Sequence, residues 1–365
     1  MVYPGAYHTR FHHVIGAMHL AKQALETLMS KGHEITEEEC RAVTCGVLLH
    51  DIGHGPFSHA LEYTIVNGVH HEELSILFME ALNKDFNGEL DLTIKIFKNS
   101  YHKKFLHQII SSQVDVDRLD YLNRDSFYTG VNEGVIGVDR IIKLLNVHND
   151  ELVVDEKGIY SIEKFLVARR IMYWQVYLHK TVVAAEFLIV NILKKAKELV
   201  MSGQEIFCTE PLKLFLKSNF TLDDFKSNPK LLKAFSKLDD YDILTCAKEW
   251  SNHHNKSLST LCDWMINRRL YRVEITTDKY SDETINKFRT KTIDKLGIPK
   301  DDAKYFVFSG TIQNNAYNPT KDRISILYKD GTTQDIGEAS DQLNISSLSK
   351  PVTKYFLCYP KILQL

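Results

Sequence analysis

The sequence reads as a mainly α protein, an all-helical core followed by a smaller C-terminal α+β module. Three observations predict this. Between Pro56 and Pro211 there is no proline, and helix formers with apolar residues at three- and four-residue spacing dominate that stretch. Beyond about residue 270 the pattern changes to short alternating segments separated by turn residues. The chain has 365 residues, above the usual single-domain size, so a large domain with an appendage is expected. A hydrophobic fraction of 44% and a charged fraction of 25% are ordinary for a globular protein and exclude a disordered one.

Helices are expected over residues 10–29, 37–51, 71–82, 92–97, 105–110, 117–123 and 138–145. The second has the clearest start, because Thr36 can cap it and Glu39, three residues on, closes a capping box. Residues 151–162 are expected to form a β-hairpin turning at 155–158, and residues 162–198 one long helix. Helix resumes at 212–217 and through 222–269, where the polar setting of His253 and His254 marks a solvated loop. The C-terminal module reads as strand 270–276, helix 281–296, strands 305–309 and 324–328, a turn at 329–332 and a last strand at 353–359. The expected domains are a core over 1–200, a helical extension packed on it over 201–270, and the α+β module over 271–365.

Forty-five Lys and Arg against 47 Asp and Glu leave a formal net charge of -2, which offers no general pull on nucleic acid or anionic membrane. Phosphate binding must therefore be local. The longest apolar stretch, Val182 to Leu193, is twelve residues long and contains Glu186 and Asn191, too short and too polar to span a bilayer. Three histidines and Arg10 among the first thirteen residues leave no signal-peptide apolar region. Six scattered cysteines without a CxxC pair point to reduced thiols and a cytoplasmic protein.

Chemistry is concentrated near the N-terminus, where ten of the sixteen histidines fall in the first 71 residues. Histidine is the commonest metal ligand and titrates nearest neutral pH, so the clustering points to a metal or phosphate site. In His50-Asp51-Ile52-Gly53-His54-Gly55-Pro56-Phe57-Ser58-His59, adjacent His50 and Asp51 reach one ion only near a helix end, and the glycines supply that break. Neutral imidazole with carboxylate suits a borderline divalent ion such as Mn²⁺, Fe²⁺ or Zn²⁺. Further ligands must come from elsewhere. Arg10-Phe11-His12-His13 sets a cation three residues before a histidine, and Asp115 to Asp125 is dense in charge yet apolar at 116, 119 and 122.

The order His13, His50-Asp51, Asp117 resembles the HD-domain phosphohydrolases, whose metal ligands follow that order. The phrases Tyr-Pro-Gly-Ala-x-His-Thr-Arg-Phe-x-His (3–13), His-Asp-Ile-Gly-His-Gly-Pro-Phe-Ser-His (50–59), His-Glu (71–72) and Asp-Val-Asp-Arg-Leu-Asp-Tyr (115–121) look like the dNTP triphosphohydrolase branch, both bacterial dGTPase-like and vertebrate enzymes. The resemblance covers residues 2–200 well and the C-terminal module only loosely. It implies one divalent metal ion (Mn, Fe, Zn, Ni or Mg) on His13, His50, Asp51 and Asp117. It further implies His54, His59 and His71 as active-site histidines with Glu62 as an acidic partner, and Arg10, Arg118 and Arg169 as phosphate-binding cations. Tyr121 matches a phosphate- and sugar-facing tyrosine, and Asp125 an acceptor for the sugar 3′-hydroxyl. Tyr177, His179 and Lys180 match a segment lining the sugar pocket, where the tyrosine crowds the 2′ position.

The reaction so implied is water attack on the α-phosphorus of a dNTP, with dGTP among the candidates, giving deoxynucleoside and triphosphate. A different HD-type phosphodiesterase or phosphatase reaction and a non-catalytic nucleotide-binding regulator are the alternatives. The resemblance also implies a homo-oligomer, dimer or tetramer, and a possible activating nucleotide. Family members usually continue upstream of the Tyr-Pro-Gly-Ala phrase into a segment that contacts the sugar and the activator, so weaker nucleotide binding is expected for the chain as it starts here.

Overall fold

Alanines set the first packing. Helix α1 (Arg10–Ser30) buries Ala17, Ala21 and Ala24 with Val14, Leu25 and Leu28, a helical stripe whose small members let neighbours approach closely. It packs on α2 (Glu37–Leu49), which starts as the sequence predicts. The Glu39 N–H donates to Thr36 Oγ1 at 3.1 Å, and the Thr36 N–H donates to Glu39 Oε2 at 2.8 Å. Next come α3 (His71–Asp85), α4 (Asp91–Phe97), α5 (Lys104–Ile110), α6 (Val116–Thr129) and α7 (Val138–Lys143). Helix α6 lies against α1 and ends at Gly130, whose φ of 73° makes the left-handed cap. The computed structural model describes residues 2–57, 64–66, 68–320, 322–341, 348 and 350–364.

Two sequence expectations shift here. The hairpin pairs β1 (Leu145–His148) with β2 (Glu151–Asp155), so it turns at Asn149–Asp150 and not at 155–158. Both turn residues have positive φ, 50° and 67°, the backbone that a two-residue turn needs and that Asn and Asp tolerate. Residues 156–158 instead form a short 3₁₀ turn leading into α8 (Ile159–Met172). The single helix expected over 162–198 is broken, because α8 runs into a π-helical turn at Tyr173–Tyr177 and α9 (Lys180–Met201) leaves at a 58° bend. π-Helical turns of this kind occur frequently at functional sites.

After α9 follow α10 (Glu210–Lys217), α11 (Leu222–Ser227), α12 (Pro229–Phe235), α13 (Asp240–Trp250) and α14 (Lys256–Ile266), with His253 and His254 in the loop between the last two. The remainder is β3 (Arg272–Thr276), α15 (Asp282–Leu296), β4 (Phe308–Asn314), β5 (Ser325–Leu327), β6 (Thr333–Asp335) and β7 (Val352–Tyr359). The strand expected at 305–309 begins three residues later, since Lys300–Tyr305 forms a 3₁₀ turn. Strands β3, β7 and β4 make an antiparallel sheet in that order, while β5 and β6 extend the hairpin into a second sheet of order β1-β2-β5-β6. The β2–β5 pairing is parallel, with Val154 opposite Ile326.

Burial divides into two cores. One gathers α1, α2, α5, α6, α7 and α8 and takes in Tyr317, Ile324, Ile326 and Ile336 from the C-terminal region. The other gathers α9 to α14 with β3 and β7. Residues 316–336 therefore seal the first core although they stand far along the chain. No single helix among the described residues is long and apolar enough to cross a membrane. All six cysteines are free thiols.

Candidate metal and phosphate site

The site forms where the ends of α1, α2 and α6 meet. Thr9 caps α1, accepting from the His12 N–H while His12 Nδ1 accepts from the Thr9 N–H, and this fixes the first turn that carries His13 inward. Helix α2 ends at Leu49, with His50 as its C-cap still in helical φ/ψ (-58°, -34°) and Asp51 directly after it in the turn beyond. Asp117 stands in the first turn of α6, capped by the Asp115 carboxylate, which accepts the Arg118 N–H at 2.7 Å. Ligand-type atoms of His13, His50 and Asp117 all lie within 4.8 Å of one another. Asp51 joins them, its Oδ1 3.3 Å from His50 Nε2.

Hydrogen bonds fix how each imidazole presents itself. His50 Nδ1 donates to the Val47 carbonyl at 2.6 Å, and Nε2, buried and without a hydrogen-bond partner among the described residues, faces Asp51 and Asp117 oxygens at 3.3 and 3.6 Å. His13 Nδ1 bonds the Asp120 carboxylate at 2.7 Å, and its Nε2 approaches Asp117 Oδ1 at 3.0 Å. Each ring thus anchors one nitrogen and turns the other toward the same carboxylates, the outer-shell arrangement that orients metal-ligating histidines. Two imidazoles and the Asp117 carboxylate around one point, with Asp51 beside His50, fit a divalent transition ion.

Electrostatics agree with that fit. Burial by itself would lower the His13 pKa, but the Asp117 and Asp120 carboxylates outweigh it and raise it to about 9. For His50, burial is likewise outweighed by Asp117 and Asp51, again giving about 9. Burial pushes the Asp117 carboxyl up, and the two imidazoles more than reverse this, holding it well below the usual carboxylate range. Without a cation the site therefore holds its positive charge as protons on both histidines.

Around this cluster stand the other groups. Arg10 Nη1 bonds Asp51 Oδ2 at 2.5 Å, and the His54 and His71 rings stack 3.8 Å apart. That stack depends on Gly53, where an added Cβ would lie 2.1 Å from the His71 carbonyl oxygen and 2.4 Å from the Ser75 nitrogen. Ser75 Oγ completes the junction, accepting the Gly53 N–H at 2.9 Å and donating to the His50 carbonyl at 2.7 Å. On the other flank the Tyr177 hydroxyl donates to Asp125 Oδ2 at 2.6 Å, and the Tyr121 ring meets Tyr177 edge-on at 6.1 Å and His13 at 6.5 Å.

This sequence matches the HD domain over residues 10–125 and the HD associated region over residues 136–209. A solved structure of a phosphohydrolase from Bacteroides thetaiotaomicron is 54% identical and covers 99% of this chain and 89% of its own, with a TM-score of 0.95. The uncharacterized protein YwfO of Bacillus subtilis is 30% identical over 99% of this chain and 83% of its own length. The chain belongs to the HD-domain phosphohydrolases. A Dictyostelium discoideum relative named deoxynucleoside triphosphate triphosphohydrolase SAMHD1 homolog is 30% identical over 56% of this chain, which spans 43% of that relative.

The predicted residues His13, His50, Asp51, Asp117, Arg10, His54, His71, Tyr121 and Asp125 of the HD domain and Tyr177 of the HD associated region fall in one continuous neighbourhood. Arg118 is gripped by the buried Asp115, whose charge outweighs burial and holds the guanidinium firmly protonated. Arg169 is buried, donating to Gln113 Oε1 and to the Ala316 carbonyl at 3.1 Å each, and its charge reaches the Tyr121 hydroxyl. His179 and Lys180 stand exposed at the start of α9, where His179 Nδ1 accepts the Thr181 N–H as a helix cap. His59 and Glu62 lie outside the described residues.

Sequence reasoning missed Asp120, Asp115 and Gly16. Asp120 orients His13 and is itself held by Arg124 through Nε at 2.7 Å and Nη2 at 2.8 Å. Gly16 lets that pair press against α1, since a Cβ there would lie 2.0 Å from Asp120 Oδ1. The available signal was spacing: Asp120 follows Asp117 by three residues, one helical turn, on a helix already read as part of the site.

Proposed function

We propose that this protein is a metal-dependent deoxynucleoside triphosphate triphosphohydrolase, in which water attacks the α-phosphorus and the 5′-oxygen leaves. The observation that carries the reading is the Tyr177–Asp125 hydrogen bond beside the histidine–aspartate cluster. Helix α6 presents Asp117 to the cluster and, eight residues on, Asp125 to a wall of tyrosines. A carboxylate acceptor and an aromatic wall suit a sugar next to the phosphate-cleaving centre. The Dictyostelium relative's name supports the same substrate class.

His13, His50, Asp51 and Asp117 would hold one divalent cation, which when bound supplies Lewis acidity toward the phosphate and lowers the pKa of water. Arg10 has an exposed side chain and can turn from Asp51 toward phosphate oxygens. Arg118 and Arg169, fixed by Asp115 and Gln113, add preorganised positive charge. A proton from the His54–His71 stack goes to the departing 5′-oxygen. Tyr177, held by Asp125, occupies the room that a 2′-hydroxyl would need.

Metal-loaded protein incubated with each dNTP and each NTP, with products separated by chromatography, tests the reading. Deoxynucleoside and inorganic triphosphate from dNTPs, with NTPs spared, are expected. Nucleoside monophosphate or orthophosphate would make it a different HD-type phosphohydrolase, and tight binding without turnover a nucleotide-binding regulator.

A further inference from the structure

Asp125 is engaged on both oxygens by residues from distant parts of the chain. Tyr177 donates to Oδ2, and His8 Nε2 lies 2.7 Å from Oδ1. Because the carboxylate accepts, Nε2 must be the donor. The His8 ring is mostly buried and stacks on Tyr128 at 4.6 Å with 23° between planes. Its segment is pinned on both sides. Tyr3 Oη donates to the Gln175 carbonyl, and a Cβ on Gly5 would lie 2.7 Å from the Tyr128 carbonyl oxygen. His8 Nδ1 is buried with no hydrogen-bond partner among the described residues.

We infer that His8 is a positioning residue for nucleotide recognition, holding the Asp125 carboxylate so that its free lone pairs face the sugar 3′-hydroxyl. The inference rests on the proposed function above. A carboxylate has about four acceptor sites, so two donors fix its plane and still leave room for a ligand hydroxyl. Without His8, Asp125 rotates about the Tyr177 bond and the hydroxyl loses a prepaid orientation. The orphaned Nδ1 fits this position, since a buried polar atom without a protein partner is commonly satisfied by ligand or water. A purely structural role, tethering residues 3–8 to α6, would affect every nucleotide alike.

The test compares a 2′-deoxynucleoside triphosphate with its 2′,3′-dideoxy analogue on the full, metal-loaded chain, by kcat/KM and by equilibrium titration. Wild-type protein is expected to favour the 3′-hydroxyl by roughly tenfold or more, the range for a hydrogen bond to a charged group. His8→Ala should erase most of that preference by weakening the deoxy substrate while moving the dideoxy analogue less than about twofold. His8→Gln, whose amide N–H can reach the same oxygen, should restore it. Parallel loss for both nucleotides, an unchanged ratio in His8→Ala, or no preference in wild type would overturn the inference. If wild type hydrolyses no dNTP but the titration ratio collapses in His8→Ala and returns in His8→Gln, only the proposed reaction fails. If dNTPs are hydrolysed and the ratio does not move, only the role of His8 fails.

Discussion

At the residue scale the site is a contest between protons and a cation. His13 and His50 titrate near 9 when folded against 6.5 in the unfolded chain. A raised pKa means that this stabilisation is fully present below pH 6.5 and is lost as pH rises through about 9. Chelator-treated protein should therefore melt at falling temperatures from pH 6.5 to 9.5, and metal-reloaded protein should not, because the ion replaces both protons. Metal uptake should also release protons and tighten with pH over the same interval. Melting curves at fixed ionic strength, with and without chelator, check the sign. Asp51→Ala removes a charged ligand from the cluster. Metal retention and hydrolysis should both vanish with the helical circular dichroism unchanged, and undiminished metal content by elemental analysis would refute the assignment.

At the element scale the site depends on helix ends brought closer than ordinary side chains allow. Gly53 is the sharpest case, because the atoms in its way are backbone atoms of α3 and cannot rotate aside. Gly53→Ala must push α3 from the end of α2, separating His54 from His71 and straining the Ser75 bridge. Overpacking of this kind typically costs about 1–3 kcal/mol. A urea midpoint lowered accordingly, together with hydrolysis reduced more than metal content, is the expected pair of results. An unshifted midpoint would mean that the two elements tolerate separation.

Across the whole molecule, the C-terminal region completes the core beneath the HD domain. Tyr317 is 1% exposed, packs in the first core and bonds Asp335 through its hydroxyl, while the neighbouring Ala316 carbonyl holds Arg169. Tyr317→Ala should cost about 3–5 kcal/mol, as for other buried aromatic truncations, and should also weaken substrate binding through Arg169. Denaturant unfolding and nucleotide titration on one sample measure both. Tyr7, Phe11 and Ile15 recur at four-residue spacing and are 85%, 69% and 39% exposed, with Phe127 also 80% exposed. We propose that this exposed apolar set is a contact surface of the homo-oligomer that the family resemblance implies. Sedimentation at micromolar concentration should show a dimer or tetramer and Phe11→Glu should reduce it, whereas a strictly monomeric wild type would refute assembly.

The sequence alone determined what local chemistry encodes. The cap at Thr36 and Glu39, the helical periodicity from α1 to α7, and the order of His13, His50, Asp51 and Asp117 are written in spacings of a few residues. The membership in the HD-domain family follows from the same spacings. Tertiary structure decided what depends on contacts between distant residues. The hairpin turn moved to Asn149–Asp150 because strand register, set by burial of Leu145 and Val154, outranks the local turn signal of Asp155–Gly158. The long helix broke at Tyr173–Tyr177, and in the π-helical turn Tyr177 gains Asp125 and Tyr121 across the site as partners that no local pattern specifies. Asp120 behind His13, His8 on Asp125 and Ala316 on Arg169 join positions 107, 117 and 147 residues apart. No local pattern carries such a pairing, because the free energy that selects it arises only when the helices are already packed.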